Sequence, residues 1–211
     1  RAGRYIAQPT GYRAFSPAPL PPQPPVRLEG ELQALLSKAD RALGRLDGSI
    51  QTLPNPDLFV FMYVRKEAVL SSQIEGTQSS LQDLLAAEAH ILSPDLPRDV
   101  DEVVNSVTAM NYGLARLAAR PGSVGLIREI HERLLQGVRG ARLTPGELRR
   151  TQNWIGPGGC TLSEATFVPP PPHELMNALG VLEQFLHAGK TTVPLLIRCG
   201  LAHAQFETIH P

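Results

Sequence analysis

Apolar residues recur every three or four positions along most of this chain, the period of helices packed on one face. Leu32, Leu35, Leu36, Ala39, Leu43 and Leu46 mark such a stripe within Leu28 to Leu46. Asn55-Pro56-Asp57 opens a second helix, because proline in the first turn gives up only an N–H that would lack a partner anyway. That helix should run through Phe59, Phe61, Met62, Val64 and Val69 to Ile74-Glu75 and stop at Gly76, where a left-handed cap fits. Thr77 to His90 reads as the next helix, with Leu81, Leu84 and Leu85 inward and Ser79 and Gln82 at capping-box spacing. Asp99 to Ala119, Val124 to Val138, His173 to His187 and Pro194 to Thr208 complete the set. The last of these places Leu195, Cys199, Ala202, Phe206 and Ile209 on one stripe.

Two stretches break the period. Seven prolines fall within residues 1–27, most of them between Pro17 and Pro25, a composition that favours extended polyproline II over helix. Such a segment is a wrapping arm or linker, or else a ligand for a proline-binding module. The second break runs from Gln152-Asn153-Trp154-Ile155-Gly156 through Pro157-Gly158-Gly159 to Phe167-Val168 and four prolines. A glycine-proline turn between two short β-prone segments predicts a hairpin or flap. The expected architecture is therefore all-α: an arm (1–27), an N-terminal helical region (28–95) and a helical core carrying the flap (96–211).

Charge and composition narrow the setting. Lys+Arg number 20 and Asp+Glu 20, so no basic excess favours nucleic acid or an anionic membrane. No apolar run approaches the ~18 residues of a membrane span, and no signal peptide opens the chain. Cys160 and Cys199 fit no zinc spacing and read as free thiols of a reducing compartment, a single disulfide being the alternative. A cytoplasmic protein is the expectation. The chain starts at Arg1 without Met and stops just after a helical segment, which leads us to expect a fragment of a longer protein.

Candidate chemistry lies in two places. His203, Glu207 and His210 share a face of the last helix, but a rise of ~1.5 Å per residue keeps the two histidines roughly 10 Å apart, too far for one ion. His203 is expected to be packed or capped. His210 precedes Pro211, which pushes it out of helical geometry to the helix exit with a freer imidazole, one candidate for catalysis. The second place is Ser71-x-x-x-Glu75-Gly76, with Ser71 and Glu75 one turn apart. A carboxylate in a last helical turn opposes the macrodipole, so Glu75 either wants a cation, an Arg from elsewhere being the leading candidate, or is solvated. Arg149 and Arg150, before the flap, could reach phosphate or form surface salt bridges. Trp154 reads as a core anchor of the hairpin rather than a stacking platform.

Ser71-x-x-x-Glu75-Gly76 resembles the inhibitory-helix motif of the Fic (filamentation induced by cAMP) family. Gln152 to Gly156, with Phe167 and Val168, is similar to that family's target-docking flap. Phe206-Glu207-Thr208-Ile209-His210-Pro211 resembles the opening of its signature motif, of which only His210 and Pro211 are present. The resemblance runs from about residue 28 to the end. It implies a Fic-like helical bundle and a protein adenylyltransferase moving AMP from ATP to a Tyr, Thr or Ser hydroxyl of a target protein. His210 would be the general base, Glu75 the brake and the flap the docking edge. The Mg²⁺ ligand, glycine-rich anion nest and arginines of the signature are absent from these residues, so the metal ligand is expected beyond residue 211 and the piece alone is expected to be inactive. Self-modification and a homodimer are compatible with the resemblance. A related enzyme moving another phosphate-containing group, or a non-catalytic helical interaction module, are the rival readings.

Overall fold

The computed structural model describes residues 2–90, 97, 99–119, 121–189 and 191–210. Their element order is β1 (Gly3–Ala7), β2 (Arg13–Pro17), α1 (Gly30–Ile50), α2 (Pro56–Ile74), α3 (Leu81–Glu88), α4 (Val100–Ala119), α5 (Val124–Leu134), α6 (Pro172–His187) and α7 (Leu195–Ile209). The fold is helical, as expected. Pro211 and the 91–96 stretch at the expected 95/96 boundary lie outside the described residues.

The chain divides into two compact units. The first comprises residues 1–36, 122–124 and 148–211, and the second residues 37–121 and 125–147. α1 passes from one to the other and buries no side chain, so its leucine stripe, read as a packing face, is instead largely exposed.

In the first unit the arm departs from expectation. Ahead of the proline run, residues 3–17 form an antiparallel hairpin with Tyr5 opposite Phe15, which the composition of the arm did not suggest. Tyr5 and Phe15 meet edge to face at 5.2 Å, a cross-strand aromatic pair that holds the register. The prolines begin where β2 ends, so their lack of N–H groups removes nothing from the ladder. Beneath, α6 buries Leu175, Leu179 and Leu182, spaced four and three, against the fully buried Ile209 of α7, with Leu20 and Leu148 added from either side. Each of these large side chains contributes roughly 1.5–3 kcal/mol by burial. On α7, Leu195 (70% exposed) and Cys199 face solvent, and Gln205 is buried in their stead, donating to the Ala18 carbonyl at 3.3 Å.

The second unit packs Val64, Ala68 and Val69 of α2 on Leu84 of α3 and on Val103 and Val107 of α4. Asn55 caps α2 by accepting the Leu58 N–H, with Pro56 in the first turn. The buried face of α2 carries Val64, Arg65, Ala68 and Val69. Phe59 and Phe61 are about half exposed, while Arg65 is 7% exposed. Its guanidinium makes paired bonds of 2.7 and 2.8 Å to Glu88 at the end of α3 and donates to the Phe61 carbonyl, over whose ring it lies. α3 starts one residue later than the capping-box spacing implied. Ser80 and Asp83 form the box, and Ser79 donates instead to Asp99 at 2.5 Å.

Candidate functional site

The flap belongs to the first unit. Its two arms meet at one bridge, where the Ile155 N–H donates to the Phe167 carbonyl at 2.9 Å and the Phe167 N–H returns to Ile155 at 3.1 Å. Between them, the 157–160 turn closes through Cys160 N–H to the Pro157 carbonyl, with Gly159 at φ +78°. Gly156 is required by space: a Cβ there would stand 2.5 Å from the Cys160 sulfur. Trp154 is 40% exposed and donates its indole N–H to the Cys160 carbonyl, so it braces the turn rather than anchoring a core. Gln152 donates to the Asn153 and Pro169 carbonyls and accepts from the Tyr12 hydroxyl of the amino-terminal hairpin. Asn153 Oδ1 is buried without a partner.

That hairpin lies alongside the flap. The Phe15 N–H donates to the buried Val168's carbonyl at 2.8 Å, and the Phe15 and Phe167 rings stand 5.8 Å apart. Tyr5, Tyr12 and Arg13 on one side, and Leu162, Thr166 and Val168 on the other, wall a groove of about 420 Å³. No sequence signal pointed to this juxtaposition, because two hydrogen bonds and one ring contact join segments far apart in the chain.

His210 caps α7 in the same unit. Its φ of −132° and ψ of 72° leave helical geometry, while its N–H still donates to the Phe206 carbonyl at 2.8 Å. The imidazole is exposed and stacks on Phe206, 5.9 Å between centroids and 13° between planes. His203, expected to be packed or capped, is exposed, as is Glu207. Arg149 holds no surface salt bridge among the described residues. Half-buried, it donates to the Ile209 carbonyl at 3.1 Å and the Pro170 carbonyl at 2.5 Å, and burial lowers its proton affinity below the ordinary arginine value.

The other candidate residues lie in the second unit. α2 ends in a Schellman motif: the Thr77 N–H reaches the Ser72 carbonyl, the Gly76 N–H reaches the Gln73 carbonyl, both at 3.1 Å, and Gly76 takes φ +95°. This fixes Glu75 as the cap residue, with its side chain exposed. Among the described residues its carboxylate forms no ion pair. Ser71 donates to Glu67, one turn back, rather than to Glu75. Just past the cap, Asp99 receives the Ser79 hydroxyl and the Gln78 N–H at 2.6 Å. Burial works against the charged form of Asp99, but these bonds prevail and hold the carboxyl below its ordinary range.

Residues 33–115 match the Fic/DOC family N-terminal region, and residues 121–211 match the Fic/DOC family itself. The chain belongs to the Fic/DOC family. A solved relative, a Fic family protein from Desulfovibrio desulfuricans G20, shares the fold with a TM-score of 0.66 at 22% identity. The alignment covers 90% of this chain and 55% of that one, so the chain spans about half the relative's length.

Within this Fic/DOC chain the described residues hold no cluster of three His, Cys, Asp or Glu side chains able to bind a metal ion. Cys160 and Cys199 are free thiols. Among the described residues no helix is long and apolar enough to cross a membrane. The flap and His210 share a unit, whereas Ser71, Glu75 and Gly76 belong to the other.

Proposed function

We propose that the protein to which this chain belongs transfers AMP from ATP to a hydroxyl side chain of a target protein. The observation that carries this reading is His210: an exposed imidazole at the exit of α7, in the unit that carries the flap. In the reaction the target's hydroxyl oxygen attacks the α-phosphorus as its proton passes to the imidazole. One O–P bond forms, the bond from the α-phosphorus to the bridging oxygen breaks, and pyrophosphate leaves. An imidazole suits a general base at neutral pH. The stack on Phe206 limits the ring's rotation, which favours alignment over search. The flap would hold the target through main-chain bonds, which position a segment without demanding its sequence.

Glu75 is the proposed brake. Its carboxylate is exposed at a helix end, where a cation is favoured, and the Schellman turn at Gly76 fixes its backbone. A cationic side chain occupied by Glu75 would be withheld from the nucleotide's phosphates.

The test uses the full-length protein with Mg·ATP and intact-mass spectrometry, on itself and on candidate targets. The expected result is an AMP-sized adduct that strengthens by roughly ten-fold or more in Glu75→Gly, a loss of at least ~1.4 kcal/mol of restraint, and that disappears in His210→Ala. A phosphate-sized adduct would replace the transferred group by its relative. An adduct equally strong in Glu75→Gly and wild type would remove the brake, and one that survives His210→Ala would remove the base.

A further inference from the structure

We propose that Arg149 is the positioning residue that sets His210 against the flap. This rests on the transferase reading above. The guanidinium of Arg149 forks between two carbonyls: Nη1 to Ile209, immediately before the base, and Nη2 to Pro170, just beyond the flap's second arm. Both targets are deeply buried, Ile209 fully so. The carbonyls of a final helical turn lack intrahelical partners, and a cation there also complements the macrodipole. Pro170 follows Val168 and Pro169 into a run of prolines whose rings restrict the backbone, so a bond on its carbonyl fixes the flap's exit as a whole.

The site is unusual in what it omits. Arg149 is half-buried with no carboxylate partner among the described residues, and its Nε is buried without a hydrogen bond. Desolvating a cation with neutral partners alone is costly, and a fold that needed only a bridge could use an uncharged donor. The planar fork is what this place requires: two donors at fixed separation and angle, which lysine cannot reproduce. With Phe206 stacked on the imidazole, the base is defined at its ring by one residue and at its backbone by the other.

The test is Arg149→Lys and Arg149→Met in the full-length protein, read in two ways. Amide hydrogen exchange follows the His210 and Ile155 N–H groups, which bond to Phe206 and Phe167 and touch neither substitution directly. Exchange at both sites should accelerate together, by roughly ten-fold or more, while amides of α6 stay protected. In steady-state transfer, kcat should fall about 10-fold in Arg149→Lys and about 100-fold in Arg149→Met, with the target's KM near wild type, since misplacement of about 1 Å can cost that much. Unchanged exchange at His210 in either folded variant, or a loss confined to KM, overturns the assignment. A wild type with no transferase activity overturns the catalytic reading instead, and the exchange measurement still decides whether Arg149 holds the two segments.

Discussion

The Arg65–Glu88 pair offers the sharpest test of how the second unit is held. The Arg65 side chain is 9% exposed and that of Glu88 23%, joined by two bonds of 2.7 and 2.8 Å. A third bond runs to the Phe61 carbonyl, and the guanidinium carbon lies 3.2 Å from the centre of the Phe61 ring. Arg65→Met keeps an unbranched apolar stem but leaves the Glu88 carboxylate without its cation. Removing one partner of a buried pair costs about 3–5 kcal/mol, and water reaching the more exposed Glu88 reduces that to about 2–3 kcal/mol. Glu88→Gln should cost less, about 1–2 kcal/mol, because the amide oxygen still accepts one bond. The decisive assay is a urea double-mutant cycle. The double variant should be no less stable than Arg65→Met, giving a coupling energy of at least about 1–2 kcal/mol. Additive losses, with coupling under about 0.5 kcal/mol, would show that Arg65 stabilises through its stem and its contact with Phe61, and would refute the ion-pair account.

Gly76→Ala should destabilise by about 1 kcal/mol in urea, through conformation alone, because φ is +95° and the space around a Cβ is empty. Asp99 sets an acid limit on the turn beyond Glu75. Its carboxyl is held below the ordinary value, so its stabilising contribution is complete above the unfolded pKa of about 3.9 and lost as pH falls through the lower folded one. Thermal melts between pH 7 and pH 2 should therefore show a steeper acid limb in wild type than in Asp99→Asn.

The features legible in the sequence are those whose chemistry is local. Asn55 before Pro56, and Gly76 after Ile74-Glu75, carry backbone requirements that no distant contact could change, and both capped α2 where expected. His210 likewise left the helix where the following proline demanded it. Where the choice depended on a distant partner, spacing misled. Ser79 and Ser80 are both adequate caps, and what separates them is Asp99, which claims the Ser79 hydroxyl. The burial of Arg65 depends on Glu88, which comes from another helix. The amino-terminal hairpin was masked by its neighbourhood, since its two five-residue strands directly precede a proline run that dominates the composition. The exposed Leu195 and His203 show that a helix period places residues on a face without saying which face is covered.

The first unit's core has a consequence for the order in which the molecule can be assembled. Leu20, near the start of the chain, and Ile209, near residue 211, pack in one hydrophobic cluster, and Gln205 reaches back to Ala18. The main hydrophobic cluster of the second unit, by contrast, is drawn, among the described residues, from between Val64 and Met110. During synthesis that second core has all its members well before α7 exists. The hairpin of residues 3–17, made before the second core, must then wait for the helix that carries His210, so a segment translated earlier finds its packing partners later.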